Sequence, residues 1–327
     1  MSIDVPCKTI ISTYTIGADG RTICDEGWPT DYPETDTQYQ WIRVQNHQPS
    51  DDREILSPLG LPPIVAQGLL APETQPRLSK LAGGLLLVLR GVNKQARAEP
   101  DDMVSVRLWI EPRRVISVQL RWVLSVDEIS EACAHGDAPA TVSRFVFDLI
   151  EGMTTKIEAV VMMLVEQLDD FEEEELLGVG ETGRAALSDL RRQLIVIRRY
   201  VAPQRVALEK ISQTDTALLK DTERLMIREI SDQTVRLVDD LDAARERAAV
   251  INDTWVASRA EEMNRNMLIL SIVAAVFLPL GFLTGLLGVN VGGIPGVDSP
   301  YAFWIVCAAS AGVATCLYAF FRWLKWM

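Results

Sequence analysis

Two long stretches near the C-terminus contain no charged side chain, and they constrain this chain more than any other feature. They cover residues 267–287 and 301–321, which is 21 residues each. A helix of that length spans about 31 Å, close to the thickness of the hydrocarbon core of a bilayer. The alternative is a pair of buried helices in a soluble core, but such helices seldom run this long without one charge on a water-facing side. The pattern therefore predicts two transmembrane helices.

The basic residues that flank these stretches predict their orientation. Arg259 and Arg265 precede the first stretch. Arg322 and Lys325 follow the second, and residues 288–300 between the stretches contain neither Lys nor Arg. By the positive-inside rule, both ends of this hairpin face the cytoplasm and the short connection faces outside. The N-terminal sequence has no apolar segment of the signal-peptide kind, so we expect everything before the first span to be cytosolic.

The composition fits one sizeable cytosolic part joined to a membrane hairpin. The chain has 327 residues, of which 24% are charged, and five cysteines without a CxxC spacing. An odd number of unpaired cysteines is typical of a reducing compartment. The net charge of −13 argues against a nucleic-acid partner and is compatible with attracting cations. Walker A, GxGxxG and HExxH motifs are absent from the sequence, so we do not expect an enzyme.

The first 140 residues have the pattern of a mixed α/β domain. Short runs rich in β-branched and aromatic residues alternate with turns rich in Pro and Gly, which is typical of strands. The runs are residues 41–44, 85–92, 104–110 and 114–120, and a helix-like piece covers residues 126–134. We therefore assign residues 1–140 to a cytosolic α/β domain.

Residues 141–213 are predicted to form a helical cytosolic region with an acidic segment. Residues 157–183 contain no Lys or Arg, and seven carboxylates lie between Glu166 and Glu175. A solvated helix face accounts for this pattern, and a patch that attracts cations on the cytoplasmic side is the alternative.

A very long helix is predicted next. No Gly or Pro occurs among the 75 residues from Gln204 to Leu278. One unbroken helix of this length would reach about 110 Å, longer than any ordinary globular helix. We therefore expect it to leave the cytosolic part as a stalk, residues 214–266, and to enter the membrane region, residues 267–327.

The apolar stripe of this helix has a heptad-like spacing and needs packing partners, either within the chain or in an oligomer. The stripe consists of Ile227, Ile230, Leu237, Leu241, Ala244, Ala248, Ile251 and Trp255.

The first span has one small or polar face and one bulky face. The small or polar face consists of Asn264, Met267, Ser271, Ala274, Leu278, Gly281 and Gly285. The bulky face consists of Leu268, Ile269, Ile272, Val273, Val276, Phe277, Leu280 and Leu283. Small residues in a membrane helix mark either close helix packing or the lining of a pore. Because two spans cannot enclose a channel, a pore would require a cyclic homo-oligomer.

The tripeptide Gly288-Val289-Asn290 stands at the outer end of the first span, ahead of a short loop and a second span with a basic tail. Together with the long helix and the large N-terminal domain, this arrangement resembles the CorA family of divalent-cation transporters across the whole chain. Magnesium transporters of that family usually have Gly-Met-Asn, whereas Val289 occupies the middle position here. The chain length, the Gly-Val-Asn sequence and the GGIPG that follows are similar to the zinc-transporting branch of the family.

The resemblance implies a fold and a function. The fold would be an α/β/α-type cytosolic domain joined through the stalk helix to a two-helix transmembrane hairpin, assembled as a homopentameric funnel. The function would be transport of a divalent cation, zinc first, through an axial pore in the cytoplasmic (inner) membrane of a bacterium, with both termini inside. Zn²⁺ would be the transported substrate, and no bound cofactor is expected. A magnesium channel of the same architecture is the second hypothesis. A membrane-anchored sensor or scaffold is the third, but it leaves the small face and the tripeptide unexplained.

Asn290 is the main candidate for contact with the metal. In a symmetric pentamer, its amides would form a ring of neutral oxygens that hydrogen-bond the water shell of an entering cation. Such oxygens hold a hydrated dication less tightly than carboxylates do, so the ring would attract the ion without trapping it. The alternative is that Asn290 only caps the C-terminal end of a helix.

Two further candidates for a metal site lie on the cytosolic side. The small face of the first span, extended down the stalk through Ala260 and Ala257, reaches Asp253, whose carboxylates would form an inner acidic ring. A solvent-exposed stalk aspartate is the alternative for this residue. Cys133 and His135, in a predicted loop, are a weak candidate, since zinc is usually held by Cys, His and carboxylates. The preference for zinc therefore comes from the resemblance and not from ligands.

Overall fold

The computed structural model describes residues 9–29, 32–33, 38–46, 53–71, 75–93, 99, 101–176, 183–214, 216–289 and 299–323, with the backbone alone at 53–54 and 174–176. The chain divides into two compact units, Met1–Ile251 and Asn252–Met327.

A seven-stranded mixed sheet forms the centre of the first unit. Its strands are β1 Ile10–Gly17, β2 Thr22–Glu26, β3 Gln38–Gln45, β4 Arg77–Leu81, β5 Gly84–Val92, β6 Met103–Ile110 and β7 Arg114–Gln119. They lie in the order β2-β1-β3-β7-β6-β5-β4, and β3 with β7 is the parallel pair. Each of the four runs predicted as strands forms one, in β3, β5, β6 and β7. The strands β1, β2 and β4 were not predicted.

Helices cover both faces of this sheet. A 3-10 helix, Arg53–Leu59, and α1, Pro63–Leu70, pack on one face around the buried side chains of Ile42 and Trp109. On the other face, Trp41 belongs to a larger core that includes residues of α2, Leu124–His135, and α3, Val142–Leu176. Neighbouring strand residues therefore point into different cores, as the pleat of a strand requires. The resulting layers confirm the predicted α/β/α domain, and the predicted helical piece at 126–134 lies in α2.

Gly84 marks a close approach between two strands. A Cβ atom at this position would lie 2.4 Å from the carbonyl oxygen of Ile110 and 2.9 Å from the Trp109 ring. Gly84→Ala is therefore expected to lower the free energy of unfolding by about 1–3 kcal/mol, as overpacking does in other cores. Urea unfolding of the full chain in detergent, followed by tryptophan fluorescence, measures the loss. Gly152→Ala is the control, because a Cβ there would meet Ser125 at an ordinary 3.6 Å. Equal stability of the two variants would contradict the expectation.

The long helical run is interrupted once, so the prediction of an unbroken helix from Gln204 is wrong. Helix α4, Arg184–Gln213, contains Pro203, and α5 begins only at Asp221. At the break, the Thr214 hydroxyl donates to the Lys210 carbonyl at 2.6 Å, and the Leu218 amide donates to the Thr216 hydroxyl at 3.3 Å. The second bond gives the Leu218 amide a side-chain partner in place of a helical carbonyl, which is compatible with a turn.

Helix α5 is nevertheless the longest element of the chain. It covers Asp221–Leu287, 67 residues, and its length of about 100 Å includes both the predicted stalk and the first predicted span.

Three helices of the first unit form a bundle in which α5 contacts both α3 and α4. Gln233 donates to Glu158 at 2.7 Å, and Arg247 donates to Glu172 at 2.7 Å. Both pairs are 75 residues apart, so α3 and α5 run parallel. The contact with α4 includes an ion pair between Arg198 and Asp242. The heptad-like stripe is buried here from Ile227 to Ile251 and becomes half-buried at Trp255. Its packing partners thus include helices of the same chain.

The second unit contains the end of α5 and α6, Ala302–Trp323. Among the described residues, these two helices are long and apolar enough to cross a membrane. Large apolar side chains on α5, such as Leu270, Phe277 and Phe282, are about 70% exposed in the single chain. Exposed apolar surface on this scale is suited to lipid or to other protein.

Candidate ion-conduction face

The small or polar face of α5 is not covered by any described part of the same chain. All seven of its residues, Asn264, Met267, Ser271, Ala274, Leu278, Gly281 and Gly285, are exposed. A Cβ atom added at Gly281 or Gly285 would meet nothing within 4 Å. The Ser271 hydroxyl donates to the Met267 carbonyl on its own helix, at 2.8 Å. This face is therefore free for a second copy of the chain or for an aqueous path.

Burial in the second unit is found on the bulky face instead. Ile272 of α5 is 6% exposed, and Phe321 of α6 is 7% exposed. On the same side of α5, Leu268, Val276, Leu280 and Leu283 are half-buried. Ile269, Val273 and Phe277 of the bulky face are exposed, so burial is confined to one part of that face and does not reach the small residues.

The last turn of α5 ends at a glycine of the predicted motif. The Gly288 amide donates to the carbonyl oxygens of Thr284, at 2.9 Å, and Gly285, at 3.2 Å. A Cβ at Gly288 would lie 3.0 Å from the Thr284 oxygen, so a side chain there would crowd this ending. Val289 is half exposed, at 49%. Asn290 lies outside the described residues, so both its predicted roles, as an oxygen ring and as a helix cap, stay predictions.

Asp253 lies on the same continuous helix as the open face. Asp253, Ala257, Ala260 and Asn264 are all exposed. Because α5 is continuous from Asp253 through Leu278, with its one interior proline, Pro279, after that, the helical register that relates Asp253 to the first part of this face is not lost in a turn. Its placement on a shared axis remains a prediction.

The structure does not bring Cys133 and His135 together as a metal site. Both residues lie in the last turn of α2 and not in a loop as predicted. Residues two apart in a helix point about 200° apart. Cys133 is buried, which raises the pKa of its thiol to about 11 and disfavours the thiolate that a metal needs. His135 is exposed, with Nδ1 2.7 Å from the Glu131 carbonyl oxygen.

The other histidine, His47, lies outside the described residues. In the part of the chain that the structure describes, no group of three or more His, Cys, Asp or Glu side chains is arranged to hold a metal ion.

The acidic segment has a structural partner that sequence reasoning missed. Arg247 of α5 pairs with both Asp169 and Glu172 of α3. The hydrogen bonds that Arg247 donates to these carboxylates raise the pKa of its guanidinium. A single arginine 75 residues further along the chain is not a local signal, so the sequence offered no means of finding this pair. Glu166, Asp170 and Glu173 remain exposed.

The chain has a layered α/β unit, a 67-residue helix that includes the first candidate span, and a second helix able to cross a membrane. These features define a two-span membrane protein with a large soluble part. The model of the family described as "CorA-like Mg2+ transporter protein" matches residues 36–323. This chain therefore belongs to the CorA family, as the resemblance predicted.

Relatives with printed functions are similar over most of the chain. The "Divalent cation transporter CmaX" of Pseudomonas aeruginosa is 36% identical over 291 residues, which cover 88% of this chain and 87% of the relative. The "Zinc transport protein ZntB" of Pectobacterium atrosepticum is 36% identical over 267 residues, covering 82% and 81%. The solved structure of full-length CmaX superimposes with a TM-score of 0.83 at 32% identity and covers 99% of this chain and 100% of that one. The soluble α/β domain, the long helix and the two-helix membrane region are thus confirmed as the architecture.

Proposed function

We propose that this protein transports divalent metal cations, zinc first, across the inner membrane of a bacterium through the axial pore of a homopentamer. The observation that carries the proposal is the open small or polar face of α5, a helix apolar enough to cross a membrane. Relatives named as divalent-cation and zinc transporters, both 36% identical, support the choice of substrate.

The two faces of α5 suit a ring of identical helices. Its bulky face includes the buried Ile272, while the face with Gly281 and Gly285 is open. Small residues let helix backbones approach closely, so copies of this face can surround a narrow axis. Ser271 and Asn264 would place polar oxygens along that axis. Since one chain supplies only two spans, closing the path requires other copies.

The outer mouth would be formed by Gly288, Val289 and Asn290. The proposed amide ring of Asn290 would bind the water shell of the cation, because neutral oxygens can replace outer-shell hydrogen bonds without holding the metal permanently. Gly288 supports this role by ending the helix at a position where a side chain would crowd the Thr284 carbonyl.

Flux measurements on reconstituted protein test the proposal. Purified full-length chain in lipid vesicles, with dyes sensitive to zinc or to magnesium inside, should show zinc influx above that of protein-free vesicles. A magnesium channel is the second candidate, favoured by the description of the matching family. Magnesium influx without zinc influx would select it. Flux of neither metal would reject transport and favour the sensor or scaffold.

Asp253→Ala is expected to weaken zinc binding and to alter transport. In a symmetric bundle, copies of Asp253 would face one another at the inner end of the path, and a bound dication would relieve their mutual repulsion. Calorimetric titration of the full chain measures the zinc affinity. Asp239→Ala and Asp240→Ala are the controls, since both are exposed stalk aspartates that lie 14 and 13 residues before Asp253, further from the first span. Equal zinc affinity in all three variants would rule out the inner ring.

A further inference from the structure

The outward side of α4 carries a basic stripe. Residues 184–213 contain seven Lys or Arg and only two Asp or Glu. Arg191, Ile195 and Arg199 follow one another at steps of four, so they share one face of the helix. All three are exposed, and the apolar side chain of Ile195 is 45% exposed. This charge–apolar–charge arrangement is called the α4 stripe below.

A groove of opposite charge lies between α3 and α5. Its volume is about 730 Å³, and Arg247, one of its lining residues, is paired with Asp169 and Glu172. Met162 is another lining residue and is 66% exposed. The lining of the groove is partly apolar and partly acidic. The apolar lining is Val161, Met162, Val165, Leu237, Ala243 and Ala244, and the acidic lining is Glu158, Glu166, Asp169 and Asp240.

The stripe and the groove match in spacing as well as in charge. On α3, Glu158, Met162 and Glu166 repeat the charge–apolar–charge order at the same steps of four. The outer members of each set are eight residues apart, which is about 12 Å along either helix. Each arginine of the α4 stripe can therefore lie opposite one glutamate while Ile195 contacts Met162. Apolar anchors flanked by opposite charges are a recurring way for a helix to bind a groove.

The two surfaces lie on opposite sides of the same bundle. Helix α4 turns Leu190, Leu194 and Ile197 inward, and all three are buried, so Ile195 and Arg199 lie on its outer side. Arg191, seven residues before Arg198, lies on the flank nearer α5. On α5, Asp242 faces α4 through its ion pair with Arg198, while Asp240 lines the groove. Positions two apart in a helix point about 200° apart. The stripe therefore cannot reach the groove of its own chain.

We infer that the α3/α5 groove receives the α4 stripe of a second copy of this chain. Complementary surfaces on opposite sides of one subunit make a head-to-tail contact, which closes into a ring when the rotation per copy permits. The inference rests on the proposed homo-oligomer and assigns its contact in the soluble part. Both surfaces lie within the unit Met1–Ile251.

A pair of introduced cysteines tests the contact in the full-length chain. The exposed Cys24, Cys307 and Cys316 are first replaced by serine, together with Cys7. Met162→Cys combined with Ile195→Cys should then give a ladder of disulfide-linked oligomers on non-reducing gels. Either substitution alone should give no linked species, because a head-to-tail contact pairs position 162 with position 195. Linkage in a single variant would mean a two-fold contact and would overturn the inference.

Charge reversal tests the basis of the recognition. In the double-cysteine background, Arg191→Glu with Arg199→Glu should reduce the ladder to the level of the single-cysteine controls. Adding Glu158→Arg and Glu166→Arg should restore it. The matched control is Arg228→Glu with Arg236→Glu, two exposed arginines that are also eight residues apart but lie on α5. Loss of the ladder in this control, or failure of the swapped charges to restore it, would overturn the pairing.

Oligomer mass and zinc flux, measured on the same samples, separate this inference from the proposed function. A pentameric mass with zinc flux but without a ladder in the double-cysteine protein would overturn the assigned contact and leave transport intact. A ladder without zinc flux would support the contact and reject transport.

Discussion

Asn290→Ala is expected to reduce zinc flux to the level of protein-free vesicles. The amide at this position is the proposed contact with the hydrated cation at the outer mouth, and alanine offers neither its oxygen nor its hydrogen-bond donors. Symmetry multiplies the effect, because one substitution removes every amide of the ring at once. The loss should appear as lower influx of zinc into dye-loaded vesicles at every outside concentration.

The control for this variant must show that the assembly survives. Gel filtration should give the same oligomer size for Asn290→Ala as for the unaltered chain. Thr315→Ala on α6 is a matched polar-to-alanine change, because the Thr315 hydroxyl donates only to the Ala311 carbonyl of its own helix among the described residues, at 2.8 Å. It should leave flux unchanged. Normal transport by Asn290→Ala would remove the amide ring from the mechanism.

Arg43→Met is expected to cause the largest loss of stability in the soluble part. Arg43 on β3 donates through Nη2 to Asp127 of α2, and both residues are buried. The Gln119 side-chain oxygen, in the amide orientation that satisfies both of its polar atoms, accepts from Arg43 at 2.9 and 3.0 Å. Removing the arginine leaves the Asp127 carboxylate buried without its cation, which typically costs about 3–5 kcal/mol. Urea unfolding of the full chain measures the change.

A double variant shows whether the loss comes from the broken pair. Arg43→Met with Asp127→Leu removes both charges, and such replacements are often neutral, so it should recover most of the stability lost by Arg43→Met alone. The exposed pair of Arg121 with Asp102 is the comparison, and Arg121→Met should cost below about 1 kcal/mol. If the single and double variants at Arg43 lose equal stability, the ion pair is not the cause.

Strands were predictable from sequence where both of their faces are buried. Every residue of β6 is buried, and β3 and β5 are buried over most of their length. Each contains a run of mainly apolar or β-branched residues, although β3 also contains three Gln and Arg43. The edge strands β2 and β4 were missed. Four of the five residues of β2 are exposed, and β4 is short and mostly polar, so neither shows an apolar pattern. Helix α1 was missed because its eight residues give too few turns for a helical period.

The prediction of the long helix was also right in part and wrong in part. The absence of Gly and Pro after Pro203 correctly indicated helix, but it did not reveal the turn at residues 214–220. Conversely, Pro203 did not begin a helix, since α4 continues through it. Whether threonine side chains favour a turn depends on which backbone groups their hydroxyls contact, and composition alone does not decide this.

The sequence by itself determined the membrane-crossing segments and the two unlike faces of the first one. Loss of charge over 21 residues and the order of small and large side chains along a helix are local properties, so they need no knowledge of distant parts of the chain. Only the tertiary structure decided which surfaces are covered. It paired Arg247 with the acidic segment, buried the stripe from Ile227 to Ile251 beside helices of the same chain, and left the Gly281 face open. The contacts of Arg247 join residues 75 and 78 positions apart, and they exist only once the helices have docked in a definite register.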